Sequence, residues 1–273
     1  MARTPLARTT VRDALDSALI ALTAAGCDTP QLDAEVLLAA AMGVDRAVLI
    51  SDQERGVEPE PFREYVQRRV QREPVAYILG RKGFRRLELE VDERVLIPRP
   101  ETEHVVEAAL SLPHGARVVD VGTGSGAIAL ALADERPDLR VVATDVSADA
   151  LTVARANAAR LGLSVEFLEG DLLEPVSGPV DAIVSNPPYV LAGTRLAPEI
   201  HRYEPDVALY AGADGFEFYR LLAPASARAS FVAFEVAGWQ AEGVAELLRA
   251  AGFESTETVR DLACIDRVVV GRR

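Results

Sequence analysis

The amino-acid sequence predicts an α/β fold behind a small helical bundle, on three observations. From Arg117 onward, short apolar runs alternate with helical patterns, the signature of βαβ units and a parallel sheet. The first of those runs delivers Asp120-Val121-Gly122-Thr123-Gly124-Ser125-Gly126 into the start of a helix, where free N–H groups and the helix dipole favour polar or anionic groups. Before Arg81, by contrast, apolar residues recur at helical spacing and the punctuation is Gly and Pro.

In chain order, Val11, Leu15, Leu19 and Leu22 mark a helix over 11–25, opened by the capping pattern Thr10-x-x-Asp13 and closed by Gly26. Pro30 opens a second helix, with Leu32, Val36, Leu37 and Ala40 as its stripe and Gly43 as its stop. A helical turn follows around 47–50. Phe62, Tyr65, Val66, Arg69 and Val70 then make a helix over 61–72, ended by Glu73-Pro74. Residues 1–75 thus read as a helical domain. The period changes at Phe84, Leu87, Leu89 and Val91, which approach strand alternation, and Val95-Leu96-Ile97 adds a second short strand. Residues 76–98 therefore read as a linker with a β-hairpin. The main domain, 99–273, starts with the rigid turn Ile97-Pro98-Arg99-Pro100-Glu101-Thr102-Glu103 and a helix carrying Val105, Val106, Ala109 and Leu110. Strands are expected at 118–121, 140–145, 165–168, 180–185 and 231–235, and two more near 255–260 and 267–270. Helices are expected at 127–133, 148–161, from about 215, and at 240–251. A long polar segment separates the fourth strand from the helix near 215.

Composition narrows the function. Hydrophobic residues make up 49% of the chain, enough for a full core. The formal net charge of −13 argues against a surface that grips nucleic acid by neutralising phosphates, so no direct nucleic-acid partner is expected. One local basic stretch, Arg63, Arg68, Arg69 and Arg72 with Arg81, Lys82, Arg85 and Arg86, reads equally as a solvated helix face or as a docking surface for an acidic partner. Cys27 and Cys264 fit a reducing compartment, and with His104, His114 and His201 scattered, no metal-ligand spacing appears. The apolar run 18–26 before Cys27 imitates a secretory signal, but Asp13 and Asp16 spoil it. No apolar run is long enough to span a bilayer. A cytoplasmic monomer without metal or membrane is expected.

The chemistry centres on Ser185-Asn186-Pro187-Pro188-Tyr189, at the tip of the run Val180-Asp181-Ala182-Ile183-Val184. Proline lacks an N–H and pushes the preceding residue to extended geometry, so Asn186-Pro187-Pro188 is a stiff turn with outward carbonyls. The Asn186 side-chain oxygen and the Pro187 carbonyl, side by side, suit a planar NH2 group that donates two hydrogens, and Tyr189 adds a face for stacking. Pro-Pro alone equally suits a turn that merely closes a strand. The glycine loop and two acids favour the clamp. Asp145 ends a strand about 20 residues past Gly124, where a carboxylate accepts ribose hydroxyls. Asp171 ends the next, where its side chain and the Leu172 backbone meet an adenine amino group and edge; either acid could instead cap the helix after it. The G-x-G-x-G spacing of Gly122, Gly124 and Gly126 differs from the dinucleotide fingerprint, and an NH2 clamp beside an adenosine site points to methyl transfer onto nitrogen.

These residues resemble the bacterial peptide-chain release factor glutamine N5-methyltransferases, the HemK/PrmC family. The matching stretches are Glu73-Pro74-Val75-Ala76-Tyr77-Ile78-Leu79-Gly80, Leu96 to Glu103, Asp120 to Gly126, Asn186 to Tyr189, Tyr203-Glu204-Pro205 and the Arg267-Val268-Val269 ending. Asn-Pro-Pro-Tyr alone is shared with adenine-N6 and cytosine-N4 DNA methyltransferases; the combination is far more specific. The resemblance implies a class I S-adenosylmethionine-dependent methyltransferase, a Rossmann-like mixed seven-stranded sheet with a helical substrate-docking domain. It also implies action on the glutamine of a Gly-Gly-Gln loop in release factors, as protein partners. Asn186, Pro187, Pro188 and Tyr189 would then be catalytic and substrate-binding. Gly122, Thr123, Gly124, Ser125, Gly126, Asp145, Asp171, Leu172 and Asn186 would hold the cofactor, and Arg99 and Glu101 touch it or brace the hinge. A ribosomal-protein glutamine, or the amino group of adenine in DNA or RNA, are the alternative substrates. Two loops depart from the family's pattern: Ala227-Arg228-Ala229-Ser230, where a Gly-Gly turn is usual, and Ala263-Cys264-Ile265-Asp266, where a glycine-containing turn is common.

Overall fold

A computed structural model of the chain describes residues 9–58 and 60–273. It resolves into two compact units, one comprising Met1–Gly80 with Ala197–Tyr203, the other Arg81–Leu196 with Glu204–Arg273.

The first unit is helical. Helix α1 (Val11–Ala24) starts at Thr10, whose hydroxyl accepts from Asp13 N while Asp13 accepts from Thr10 N, a reciprocal cap that satisfies two otherwise free donors. Helix α2 (Pro30–Met42) ends at Gly43 with φ +63°, a left-handed turn glycine adopts without a Cβ clash. Helices α3 (Arg46–Ser51) and α4 (Phe62–Val70) complete the expected set, α4 stopping short of residue 72. A further helix, α5 (Val75–Leu79), lies in a stretch to which the sequence reading gave no element. Leu22, Leu37, Leu38 and Leu49 are wholly buried between these helices. Arg69 is buried as well, donating to Asp33 at 2.7 Å and to Glu199 at 2.9 Å; Arg72 holds Glu199 at 2.7 Å. Part of the expected basic face is thereby spent inside the unit. Glu199 comes from α9 (Pro198–Tyr203), a short helix in what the sequence presented as polar loop.

The second unit opens with a hairpin, and here the sequence reading is corrected. Strands β1 (Arg81–Phe84) and β2 (Leu87–Glu90) pair antiparallel, whereas residues 95–97 are not a strand. The reversal falls at Arg85, at φ +52°, so 84–91 is a strand, a turn and a strand rather than one strand. Val95 N instead closes a turn on Asp92 O, and Ile97 N donates to a side chain, Glu204 Oε2.

Helix α6 (Glu103–Ala109) leads to β3 (Arg117–Val121), α7 (Ala127–Glu135), β4 (Arg140–Asp145), α8 (Ala148–Leu161), β5 (Glu166–Glu169) and β6 (Ala182–Ser185). After α9 come α10 (Glu217–Ala225), β7 (Phe231–Glu235), α11 (Ala241–Ala250), β8 (Ser255–Arg260) and β9 (Asp266–Arg272). The seven-stranded sheet runs β5-β4-β3-β6-β7-β9-β8, with β9 antiparallel to both neighbours. This is the mixed sheet of a class I methyltransferase fold. Apolar side chains fill both its faces: α6 and α7 close one, with Val105, Leu130 and Leu132 at 0% exposure, and α10 and α11 the other, with Tyr219, Leu222, Val244 and Leu248 equally buried. A strand buried on both faces reads as a continuous apolar run, which is why β3 and β6 were legible. Among the described residues no helix is long and apolar enough to cross a membrane.

Candidate active site

The order in which strands are added reverses at β3, since β4 and β5 lie on one side of it and β6, parallel to it, on the other. Ligands of open α/β sheets bind at such a switch point, beyond the carboxyl ends of the strands. The register sets Val121 against both Thr144 and Ser185, so three strand ends finish level. The glycine loop, Asp145 and Asn186 therefore face one cavity of about 430 Å³, within the usual range for a small-molecule site.

Gly122 and Gly124 sit at φ +71° and +56°, and a Cβ on either would point into open space. The backbone is thus bare where a ligand would lie against it. Asp145 Oδ2 accepts from Gly124 N and Oδ1 from Ser147 N, both at 2.9 Å. Burial pushes its carboxyl up against the pull of those N–H groups, so a hydroxyl donor at its remaining lone pairs would be welcome. Asp171 and Leu172 also line the cavity. Leu172 stands at φ +45°, pinned there by Thr144 Oγ1, which donates to its carbonyl at 2.8 Å. Between them these groups offer acceptors for ribose hydroxyls and a backbone edge for a purine, around walls that include Leu96, Phe218 and Leu222; an adenosine-type cofactor fits.

At the far side lie Asn186, Pro187 and Pro188. Ser185 Oγ donates to Val121 O at 2.7 Å and ties the turn to β3. Asn186 Nδ2 donates to Thr102 Oγ1 at 3.1 Å, which commits the amide's donor end to the protein. Its oxygen is left to accept. Thr102 is itself buried beside Glu235 at the end of β7. Burial first, and Glu101 nearby, push the Glu235 carboxyl up to about 7, while the Thr102 and Tyr189 hydroxyls pull it down.

Several expected site residues stand behind the cavity wall rather than on it. Thr123 Oγ1 donates to Asp120 Oδ2 at 2.6 Å, Ser125 O accepts from Asn157 Nδ2, and a Cβ on Gly126 would strike Leu130. They shape the loop from its buried side. Tyr189 is set back as well, its hydroxyl toward Glu235 and its ionisation pushed well up by burial. Arg99 donates to Glu204 Oε1 at 2.5 Å and Glu101 pairs with Arg267 at 3.5 Å; neither lines the cavity. The sequence reading gave no role to Arg94 and Leu96, which do line it, or to Thr102 and Glu235. Glu235 did carry a signal, an acid closing an apolar strand as Asp145 does.

Two family models match the chain: the PrmC N-terminal domain over residues 13–80 and the methyltransferase small domain over 102–201. A release factor glutamine methyltransferase of Geobacter sulfurreducens is 42% identical over 96% of both chains, and one of Xylella fastidiosa strain 9a5c 44% identical over 94% of this chain and 98% of its own. Among solved structures, a methyltransferase from Pyrococcus furiosus superposes with TM-score 0.52 at 19% identity, covering 68% of this chain and 88% of that one. The 16S rRNA N2 G1207 methyltransferase of Thermus thermophilus, in complex with AdoMet and guanosine, gives 0.51 at 19%, covering 71% and 49%. At that identity the two structures speak for the fold alone.

Proposed function

This chain belongs to the release factor glutamine methyltransferase family, and from that premise we propose how its site performs the reaction. It methylates the side-chain amide nitrogen, N5, of the glutamine in the Gly-Gly-Gln motif of peptide chain release factors. S-adenosylmethionine is the donor we assign to the cavity, held by the Gly122 and Gly124 backbone, Asp145 at the ribose, and Asp171 with Leu172 at the adenine. When bound, it supplies an electrophilic methyl group.

A glutamine amide nitrogen is a poor nucleophile because its lone pair is delocalised into the carbonyl. Asn186 Oδ1 and the Pro187 carbonyl accept its two hydrogens and hold the NH2 in one orientation, which is most of what this reaction needs. As the nitrogen gains positive charge in the transition state, the same acceptors bind it more strongly than in the ground state. Pro187 and Pro188 carry no N–H, so the turn offers the substrate acceptors in place of donors, and Tyr189 walls the turn. No general base is required, since the methylated amide cation sheds its proton readily. The observation that supports this reading best is the Asn186–Thr102 hydrogen bond at 3.1 Å, because it leaves the Asn186 oxygen free to accept.

In this reading the protein works in the cytoplasm as a monomer, its cavity lined within a single compact unit, and the helical unit supplies docking area for the folded substrate. The net charge of −13 weighs against adenine in DNA or RNA. The test is labelled S-adenosylmethionine with a folded release factor and with variants of its Gly-Gly-Gln glutamine. Alanine there should abolish labelling, since only a primary amide offers two donors. Asparagine should be poor, one methylene shorter by roughly a bond length. Undiminished label on the alanine variant, or label on adenine, would overturn the assignment.

A further inference from the structure

The Asn186 amide accepts from substrate only if its oxygen faces the cavity, and an amide can turn over. Something must fix its sense. Its NH2 end rests on Thr102 Oγ1, but a hydroxyl is both donor and acceptor and by itself fixes nothing. The deciding group lies one step further back. Register pairs Ser185 with Phe234, so the next residues along the two strands, Asn186 and Glu235, stand side by side at the cavity's rear. Glu235 is 2% exposed, has the hydroxyls of Thr102 and Tyr189 near enough to lower its ionisation, and keeps Oε2 without a hydrogen-bond partner. A buried carboxylate that incompletely paired is costly to retain and asks for an explanation beyond packing.

We propose that Glu235 is the positioning residue of the amide clamp, holding Asn186 in its accepting orientation through Thr102 and fixing the Tyr189 wall of the turn from the same carboxylate. The inference rests on the clamp reading above. A hydroxyl has one proton. When Thr102 gives it to the Glu235 carboxylate, its oxygen can only accept, so Asn186 must present Nδ2 to it and Oδ1 to the substrate. Once Glu235 carries a proton of its own, it can donate to Thr102; the Thr102 proton is released toward Asn186, and the amide then favours the reversed orientation by about the worth of one hydrogen bond, on the order of tenfold. Tyr189 stays protonated, its ionisation suppressed by burial and by Glu235, so it remains a donor to the carboxylate.

The groups around Glu235 allow this switch near neutrality. Glu101 pushes its ionisation up and Arg267 pulls it down, and Arg267 is itself shared with Glu101 and Asp261. Tyr219 does not compete for the carboxylate, because its hydroxyl is spent on the Glu235 main-chain oxygen at 2.7 Å. Clamp geometry thus follows the ionisation of Glu235, at about 7.

The test uses the full-length protein and a folded release factor, comparing wild type with Glu235→Gln, Thr102→Val, Thr102→Ser and Asn186→Ala. Turnover number, release-factor KM, S-adenosylmethionine affinity by calorimetry and melting temperature are followed across the neutral pH range. Wild-type kcat should fall with one proton as pH drops through about 7. Glu235→Gln should lower kcat on the order of tenfold, with cofactor affinity within about twofold, and should lose the acid limb. It should melt no lower than wild type, because a buried charge is removed, which separates positioning from support. Thr102→Ser should keep both rate and limb, and Thr102→Val should behave like Glu235→Gln. Wild-type kcat and pH profile in Glu235→Gln, alongside lost turnover in Asn186→Ala, would overturn this inference alone. Retained turnover in Asn186→Ala would remove the clamp reading beneath it as well.

Discussion

Replacing Asn186 by alanine separates binding from chemistry more sharply than any other single change. Two hydrogen bonds are at stake: the 3.1 Å bond from Nδ2 to Thr102, present in the resting protein, and the bond that the proposed function gives Oδ1 to the substrate amide. The first is one half-buried neutral bond, so its loss should cost about 1 kcal/mol of stability and a few degrees of melting temperature. The second strengthens as charge develops on nitrogen. Losing one such aligned polar group costs about 3–4 kcal/mol of barrier, a factor of roughly 10²–10³ in kcat. Cofactor affinity should stay within a few fold, because Asp145 and the glycine loop are untouched. Single-turnover methyl transfer at saturating release factor gives the rate, and calorimetry gives the affinity. Turnover within about tenfold of wild type, with binding intact, would mean that Asn186 does not hold the nucleophile.

Three further outcomes are expected. Asp145→Ala should weaken S-adenosylmethionine by about 1–3 kcal/mol, since it removes the ribose acceptor and also frees Gly124 N; unchanged calorimetric affinity would place the ribose elsewhere. Asp120, wholly buried with Oδ1 unpartnered, is pushed up to about 7 chiefly by burial. A carboxyl whose folded value lies above its unfolded one contributes stability below about 4 and loses it as pH rises toward 7, so Asp120→Asn should gain on wild type across that window, by on the order of 4 kcal/mol at its top in urea titrations. A difference independent of pH would refute that account. Arg69→Met leaves buried Asp33 without its cation, while Glu199 keeps Arg72, and should destabilise the helical unit by about 3–5 kcal/mol, read by hydrogen exchange of α2 and α4; unchanged protection would show the cluster to be dispensable.

How much of the fold was legible depended on what each segment was packed against. Strands buried on both faces, such as β3 and β6, announced themselves as apolar runs, and α8 showed its limits because Ser147 caps it and Gly162, at φ +67°, ends it. The hairpin was misplaced by one strand because Leu87 and Leu89 continue the alternation begun at Phe84 straight through the turn. Only the left-handed Arg85 marks the reversal, and arginine is no turn signal. Helix α9 was invisible for a related reason. None of its residues is buried, so it has no apolar stripe, and what holds it is the pairing of Glu199 with Arg69 and Arg72, far away in sequence.

The site follows the same division. Groups that meet a ligand through the backbone, or from the tip of a strand, leave a local signature: glycines that need positive φ, an acid closing β4, prolines closing β6. Groups that act by orienting those leave none, because their partners come from elsewhere in the chain. Thr102 lies 84 residues before Asn186, in a turn whose prolines and charges drew attention to Arg99 and Glu101 instead. Those two charged residues pair elsewhere, Arg99 with Glu204 and Glu101 with Arg267, while the small neutral threonine between them and α6 accepts from Asn186. A threonine hydroxyl can point either way until a neighbour decides its direction, so the role proposed for Thr102 becomes readable only once the parallel register of β6 and β7 brings Glu235 beside Asn186. In the proposed reading the clamp's residues are therefore local, and the sense in which the clamp is set is a property of the sheet.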